Sequence, residues 1–130
     1  MIFVDTNVFV YAVGRPHPLR EPARALLSDH MSTRTQLATS AEVLQELLHV
    51  YLPVGRLETL DAALALANDL TMVLPVDASD VRAARDLVAR HNGLGARDLL
   101  HLAVCARYEV TQVLSFDRAL VAAFGAPRTR

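Results

Sequence analysis

Apolar residues recur along this chain in two rhythms. Short apolar runs at Ile2 to Val4, Leu37 to Thr39, Met72 to Val76 and Gln112 to Ser115 predict strands. Longer stretches with apolar positions at helical spacing predict helices over Val8 to Val13, Pro22 to Met31, Ala41 to Tyr51, Leu57 to Leu70, Val81 to His91, Arg97 to Tyr108 and Arg118 to Phe124. Strands that alternate with helices call for a parallel sheet, because parallel neighbours need crossover connections and helices usually supply them. The expected fold class is therefore α/β, a three-layer α/β/α sandwich around a central parallel sheet. Breakers separate the elements at 14–18 (GRPHP), 53–55 (PVG) and 92–95 (NGLG), and the polar tail APRTR at 126–130 is expected to fray.

Composition adds bounds rather than a function. The 130 residues carry no compositional break and are expected to form one domain over 1–130, and a 52% apolar content is too high for disorder. A lone cysteine, Cys105, cannot make an internal disulfide, and neither a charged leader nor a run of roughly 20 apolar residues is present. A cytoplasmic protein without a membrane partner is expected. All 13 basic residues are arginines, against 14 acids, so the net charge of -1 neither announces nor excludes nucleic acid.

In a parallel α/β sheet ligands bind beyond the carboxyl ends of the strands, so acids placed there carry the functional interest. Asp5 follows Ile2-Phe3-Val4 directly and is either the N-cap of the next helix or a site residue. Glu42 and Glu46 are four residues apart on one helix; Thr39 and Glu42 match a capping box, which leaves Glu46 as the acid without a structural task. Asp98, His101 and Cys105 form one stripe on a helix that is otherwise largely apolar. Asp98 also suits the positive end of that helix, His101 is either a support for the acids or a satisfied core histidine, and Cys105 reads as a small core residue. Asp117 follows the last strand and Ser115 precedes it by two residues, in reach to orient it or a water; Asp117 also fits an N-cap. Asp77 and Asp80 read as a helix start, and Gly93 and Gly95 lack the strand and third glycine of a dinucleotide loop.

Four carboxylates from separate segments, Asp5, Glu46, Asp98 and Asp117, would repel one another if gathered, unless a cation held them. Oxygen-only ligands suit Mg2+, with Mn2+ as the alternative. Such an ion polarises phosphate oxygens and acidifies water, which is the chemistry of phosphodiester hydrolysis.

The segments VDTN at 4–7, VLQELL at 43–48, ARDLLHLAVC at 96–105 and LSFDRAL at 114–120 closely resemble the PIN domain, in particular the VapC-type toxins of type II toxin–antitoxin pairs. The resemblance spans essentially the whole chain. It implies a metal-dependent endoribonuclease with Asp5, Glu46, Asp98 and Asp117 as the acidic metal-binding pocket and Asn7 and Ser115 as polar supports. It further implies a homodimer neutralised by a VapB-type antitoxin whose carboxyl-terminal segment lies over the site. The mechanism expected from it is in-line attack of activated water on RNA, leaving 5′-phosphate and 3′-hydroxyl ends.

Residue identity weighs against two rivals. A receiver domain relies on a lysine and this chain has none, whereas dehalogenase-like enzymes use Asp-x-Asp and position 7 here is Asn7. The remaining alternative is a catalytically inactive PIN-like module that binds RNA or protein. Because unloaded carboxylates repel phosphate, arginines near the acidic segments, Arg15, Arg20, Arg24 and Arg97, are the candidate substrate holders.

Overall fold

The computed structural model describes residues 1–125; the tail at 126–130, expected to fray, lies outside the described residues. Four parallel strands, β1 (Ile2–Val4), β2 (Leu37–Ser40), β3 (Thr71–Leu74) and β4 (Gln112–Leu114), lie in the order β3-β2-β1-β4. The helices are α1 (Thr6–Val13), α2 (Arg20–Ser32), α3 (Ala41–Tyr51), α4 (Leu57–Leu70), α5 (Ala78–Asp86), α6 (Ala96–Arg107) and α7 (Arg118–Gly125). Among the described residues no helix is long and apolar enough to cross a membrane.

The chain walks from β1 to β2 to β3 in one direction, then returns past β1 to β4. Helices α1 to α4 pack on one another and α5 packs on α6, the grouping that right-handed crossovers on opposite faces of the sheet require, giving the three expected layers. The reversal also makes a switch point between β1 and β4, where the loops at the strand ends part to leave a crevice.

Being central explains the opening run. Phe3 and Val4 are fully buried, and Phe3 packs its ring against His101 of α6, with centroids 5.2 Å apart, and against Phe124 of α7 at 6.4 Å. One sheet register pairs Phe3 with Ala38 and Val113, so β1 and β4 finish level and β2 runs one residue further.

Most expected boundaries shift by a residue or more, and some of the differences have a clear local cause. Strand β3 ends at Leu74 rather than Val76, since Pro75 has no N–H to give to a ladder. Helix α5 starts at Ala78, three residues before the expected Val81, because Asp77 and Asp80 form a complete capping box; after Asp86 the chain continues in turns closed by bonds such as Leu87 N–H to the Ala84 carbonyl at 3.1 Å. The Thr39–Glu42 capping box does not form. Thr39 stays in β2 and donates its hydroxyl to the Val4 carbonyl at 2.9 Å, while Ser40 caps α3 by accepting from Val43 N–H at 3.3 Å.

Gly14 ends α1 for a steric reason: a Cβ there would sit 2.7 Å from the Val10 carbonyl oxygen. Only glycine lets the chain leave α1 so close to the helix, and the segment that follows brings the His17 ring to 4.6 Å from the Tyr11 ring.

Candidate functional site

Asp5 stands where β1 becomes α1. Its backbone N–H donates to the Leu114 carbonyl at 3.0 Å, extending the β1–β4 pairing by one residue, and its side chain then turns out of the sheet. Oδ1 accepts from Thr6 N–H at 2.8 Å and Oδ2 accepts from the Ser115 hydroxyl at 2.6 Å. Ser115 Oγ itself accepts from Asn7 Nδ2 at 3.2 Å and from Asp117 N–H at 3.0 Å, and Asn7 Oδ1 accepts from Phe116 N–H at 3.2 Å. A hydroxyl that donates once and accepts twice is fully used. The switch point is thus tied across by side chains from both of its walls.

Glu46 approaches from α3. Thr6 donates its hydroxyl to Glu46 Oε2 at 2.8 Å, and His101 Nε2 stands 2.8 Å from Oε1 and 3.7 Å from Asp5 Oδ1. At 2.8 Å the His101–Glu46 approach is a close, largely buried ion pair. Donor atoms of Asp5, Glu46 and His101 fall within 4.8 Å of one another, which is cation-binding spacing.

Above these groups opens a cavity of about 310 Å³ lined by both Asp98 at the start of α6 and Asp117 before α7, together with Asp5, Asn7, Tyr11 and Glu46. Asp117 also caps α7, accepting from Ala119 N–H at 2.9 Å and Leu120 N–H at 3.2 Å through Oδ1. The two readings of Asp5 and of Asp117 therefore coexist: each carboxylate caps a helix and borders the cavity.

The electrostatics follow from crowding. Burial pushes the Asp5 carboxyl above its ordinary range, and the Ser115 hydroxyl, the His101 ring and Thr6 N–H recover only part of that shift. Asp98 is raised too, first by burial and then by the charges of Asp117, Asp5 and Glu46. Glu46 moves the other way: burial alone would raise it, but His101 and the Thr6 hydroxyl outweigh burial and hold it low. Burial opposes charge on His101, yet Glu46, Asp5 and Asp98 together push its pKa up.

The structure therefore brings Asp5, Asn7, Glu46, Asp98, His101, Ser115 and Asp117 together. Glu42, one turn earlier on α3, does not line the cavity. Cys105 is buried in the core. Of the candidate arginines, Arg97 is close enough to lower Glu46, whereas Arg24 gives its Nε to the Ala12 carbonyl at 2.9 Å and faces Glu21 at 3.7 Å. Sequence reasoning missed Thr6 and Tyr11. Thr6 had a signal, a hydroxyl next to the first acid; Tyr11 had only its place one helical turn after Asn7.

Comparison with known proteins identifies the family of the fold. Residues 2–124 match the PIN domain family. The chain is 60% identical over 124 residues to Ribonuclease VapC23 of Mycobacterium tuberculosis, covering 95% of this chain and 98% of that protein. It is 43% identical over 119 residues to Ribonuclease VapC13 of the same organism, covering 91% of each. In fold it is similar to the crystal structure of Mycobacterium tuberculosis VapC20, described as a Sarcin-Ricin loop cleaving toxin, with a TM-score of 0.78 at 20% identity over 95% of each chain. It also resembles VapBC2 from Rickettsia felis bound to a promoter DNA fragment, with a TM-score of 0.70 at 20% identity over 90% of this chain and 89% of that one. A parallel sheet whose switch point gathers four acids, matched along nearly its whole length by VapC proteins, places this chain in the PIN domain family, among the VapC-type members.

Proposed function

We propose that the cavity is the active site of a divalent-metal-dependent endoribonuclease, the toxin of a type II toxin–antitoxin pair. The observation that carries this reading is the meeting of Asp5, Glu46, Asp98 and Asp117, from four segments of chain, around one cavity. That donor set fits a hard cation: it is rich in carboxylate oxygen, and ligand atoms of Asp5, Glu46 and His101 lie within 4.8 Å of one another. Mg2+ is the ion we assign, with Mn2+ as a substitute.

Once bound, the ion supplies positive charge that polarises a phosphodiester and lowers the pKa of a water. The chain's own residues fix where this happens. Ser115 and Thr6 N–H hold the two oxygens of Asp5, the Thr6 hydroxyl holds Glu46, and Asn7 ties Ser115 to the Phe116 backbone. His101 supports Glu46 and Asp5 from the core side, standing 2.8 Å from Glu46 Oε1 and 3.7 Å from Asp5 Oδ1. Arg97 offers the entering phosphate a cation beside the acids. In-line attack leaves 5′-phosphate and 3′-hydroxyl ends.

The identity to VapC23 and VapC13, both named ribonucleases, supports RNA as substrate, and the VapBC2 assembly supports a VapB-type antitoxin as partner. A homodimer in the cytoplasm completes the proposal. The test is incubation of purified protein with total RNA in Mg2+, in Mn2+ and in EDTA, beside Asp5→Ala and Glu46→Ala. Discrete cuts that need the ion and vanish in both variants are expected. Intact RNA under every ion, or products ending in 2′,3′-cyclic phosphate, would overturn it.

A further inference from the structure

Carboxylates and a metal ion grip a phosphate but cannot hold a base. The rim of the cavity carries a feature suited to that second task. Tyr11 lines the cavity one helical turn beyond Asn7 and is fixed from two sides: the Phe116 ring meets it edge-on, with centroids 5.6 Å apart at 83°, and the His17 ring lies over it at 4.6 Å and 32°.

His17 is exposed, yet its position is built. Pro16 and Pro18 flank it, which restricts the backbone on both sides. Its carbonyl accepts from Arg20 N–H at 3.0 Å, closing a β-turn with Pro18 at the second position. Its ring Nδ1 accepts from Leu19 N–H at 3.0 Å, which fixes the ring's orientation and leaves Nε2 to carry the proton of the neutral form. Gly14 releases the chain from α1 at the one place where a side chain would strike the Val10 carbonyl. A solvent-exposed imidazole, ordered by a turn, two prolines and a ring contact, gains little for the core. It gives the crevice a rigid aromatic edge.

We propose that Tyr11 and His17 form a stacking platform for one unpaired base of the RNA, in the nucleotide next to the scissile phosphate. The assignment rests on the ribonuclease reading above and deepens it. Stacking on an aromatic face tolerates any base but requires one that has left its own helix, so the platform selects RNA that is single-stranded at the cut, in a loop or an end. Arg24 is not free for this task, being committed to the Ala12 carbonyl and Glu21.

The experiment crosses protein and RNA changes. A short single-stranded RNA with a mapped cleavage site is compared with versions made abasic at either nucleotide flanking the scissile bond, using wild type, His17→Ala, His17→Phe and Tyr11→Leu. For intact RNA, His17→Ala is expected to raise KM about five- to thirtyfold with kcat little changed, and His17→Phe to restore it. With the abasic nucleotide at the stacked position, wild type loses the same factor and His17→Ala adds nothing further. Equal losses for His17→Ala on intact RNA and on both abasic RNAs would overturn the platform, as would failure of His17→Phe to rescue. Fluorescence anisotropy of the same RNAs in Ca2+, a hard cation that neutralises the acids, distinguishes the two claims. Absence of cleavage with the base-dependent binding contrast intact refutes the nuclease reading alone; absence of that contrast refutes the platform whether or not RNA is cut.

Discussion

Ser115→Ala removes one oxygen and tests how the site is held. In the wild-type protein that hydroxyl donates to Asp5 Oδ2 at 2.6 Å and accepts from Asn7 and from the Asp117 backbone. A hydrogen bond to a charged group contributes about 1.5–3 kcal/mol. Asp5 is already raised by burial, and the Ser115 hydroxyl is the largest influence restraining it, so the variant pushes its pKa further up. Because a cation binds the ionised carboxylate, that energy is expected to reappear as metal affinity weakened roughly ten- to hundredfold. The pH at which the ion begins to bind should move upward with it. The assay is calorimetric titration with Mn2+ across neutral and mildly acidic pH, with Ser115→Thr restoring the hydroxyl. Loss of the two accepted bonds also lowers stability by about 1 kcal/mol, read separately by thermal melting. If Ser115→Ala binds Mn2+ within twofold of wild type and with the same pH dependence, Asp5 does not depend on this support and the reasoning fails.

Other expectations can be checked on the same preparations. The folded-state pKa of Asp98 is raised, so its contribution to stability is full below the ordinary 3.8 and is lost as pH rises through the raised value; Asp98→Asn should therefore melt higher than wild type at pH 7 in EDTA and gain less on adding Mg2+, and a lower melting point would refute this. Asp80 is held low, first of all by its paired hydrogen bonds from Arg107 at 2.8 Å each, so its contribution is present above 3.8 and lost as pH falls through the depressed value; Asp80→Asn should lose stability at neutral pH and show a flatter acid limb in urea titrations. Gly14→Ala, forced against the Val10 carbonyl, should cost about 1–3 kcal/mol in denaturant melts and disturb the Tyr11–His17 contact, whereas a neutral result would remove the steric account of this helix end. Leu47→Ala, on a fully buried position of α3, should cost about 2–5 kcal/mol, and a loss below 1 kcal/mol would show that this helix is not packed as described.

Much of this was legible in the sequence because it depends on local pattern. The four strands, the seven helices and the end-of-strand position of Asp5 and Asp117 follow from periodicity alone, since a buried parallel strand must be apolar until it stops. What failed were choices between neighbours. Thr39 and Ser40 both suit a cap, and the choice was made by a non-local event, the Thr39 hydroxyl bonding to Val4 on the adjacent strand, which no inspection of residues 39–42 reveals. His101 was left between core and site for the same reason. Its stripe partners are visible in α6, but the two acids that give it a role come from β1 and α3. Tyr11 and His17 were missed because an aromatic in a helix and a histidine between prolines carry no signal until the turn at 17–20 folds the second over the first.

The arrangement also explains how a fold can keep four mutually repelling acids in one place. Asp5 and Glu46, the two innermost, are each anchored by a neutral hydroxyl, from Ser115 and Thr6 respectively, and His101 lies against both. Asp5 and Ser115 directly follow the paired ends of β1 and β4, while Thr6, Glu46 and His101 sit on helices packed around them, so the acids are positioned before any ion arrives. The opposing charge comes from elsewhere in the cavity: Asp117 is the largest charge acting on Asp98, and together with burial it keeps that carboxyl above its ordinary range. Hydroxyl anchoring therefore falls on the strand side of the site and charge repulsion on the side of α6 and α7. A cation entering the cavity meets two positioned carboxylates first, and its charge then relieves the repulsion between the other two. On this reasoning, loss of a hydroxyl should weaken ion binding, while loss of Asp98 should stabilise the ion-free protein.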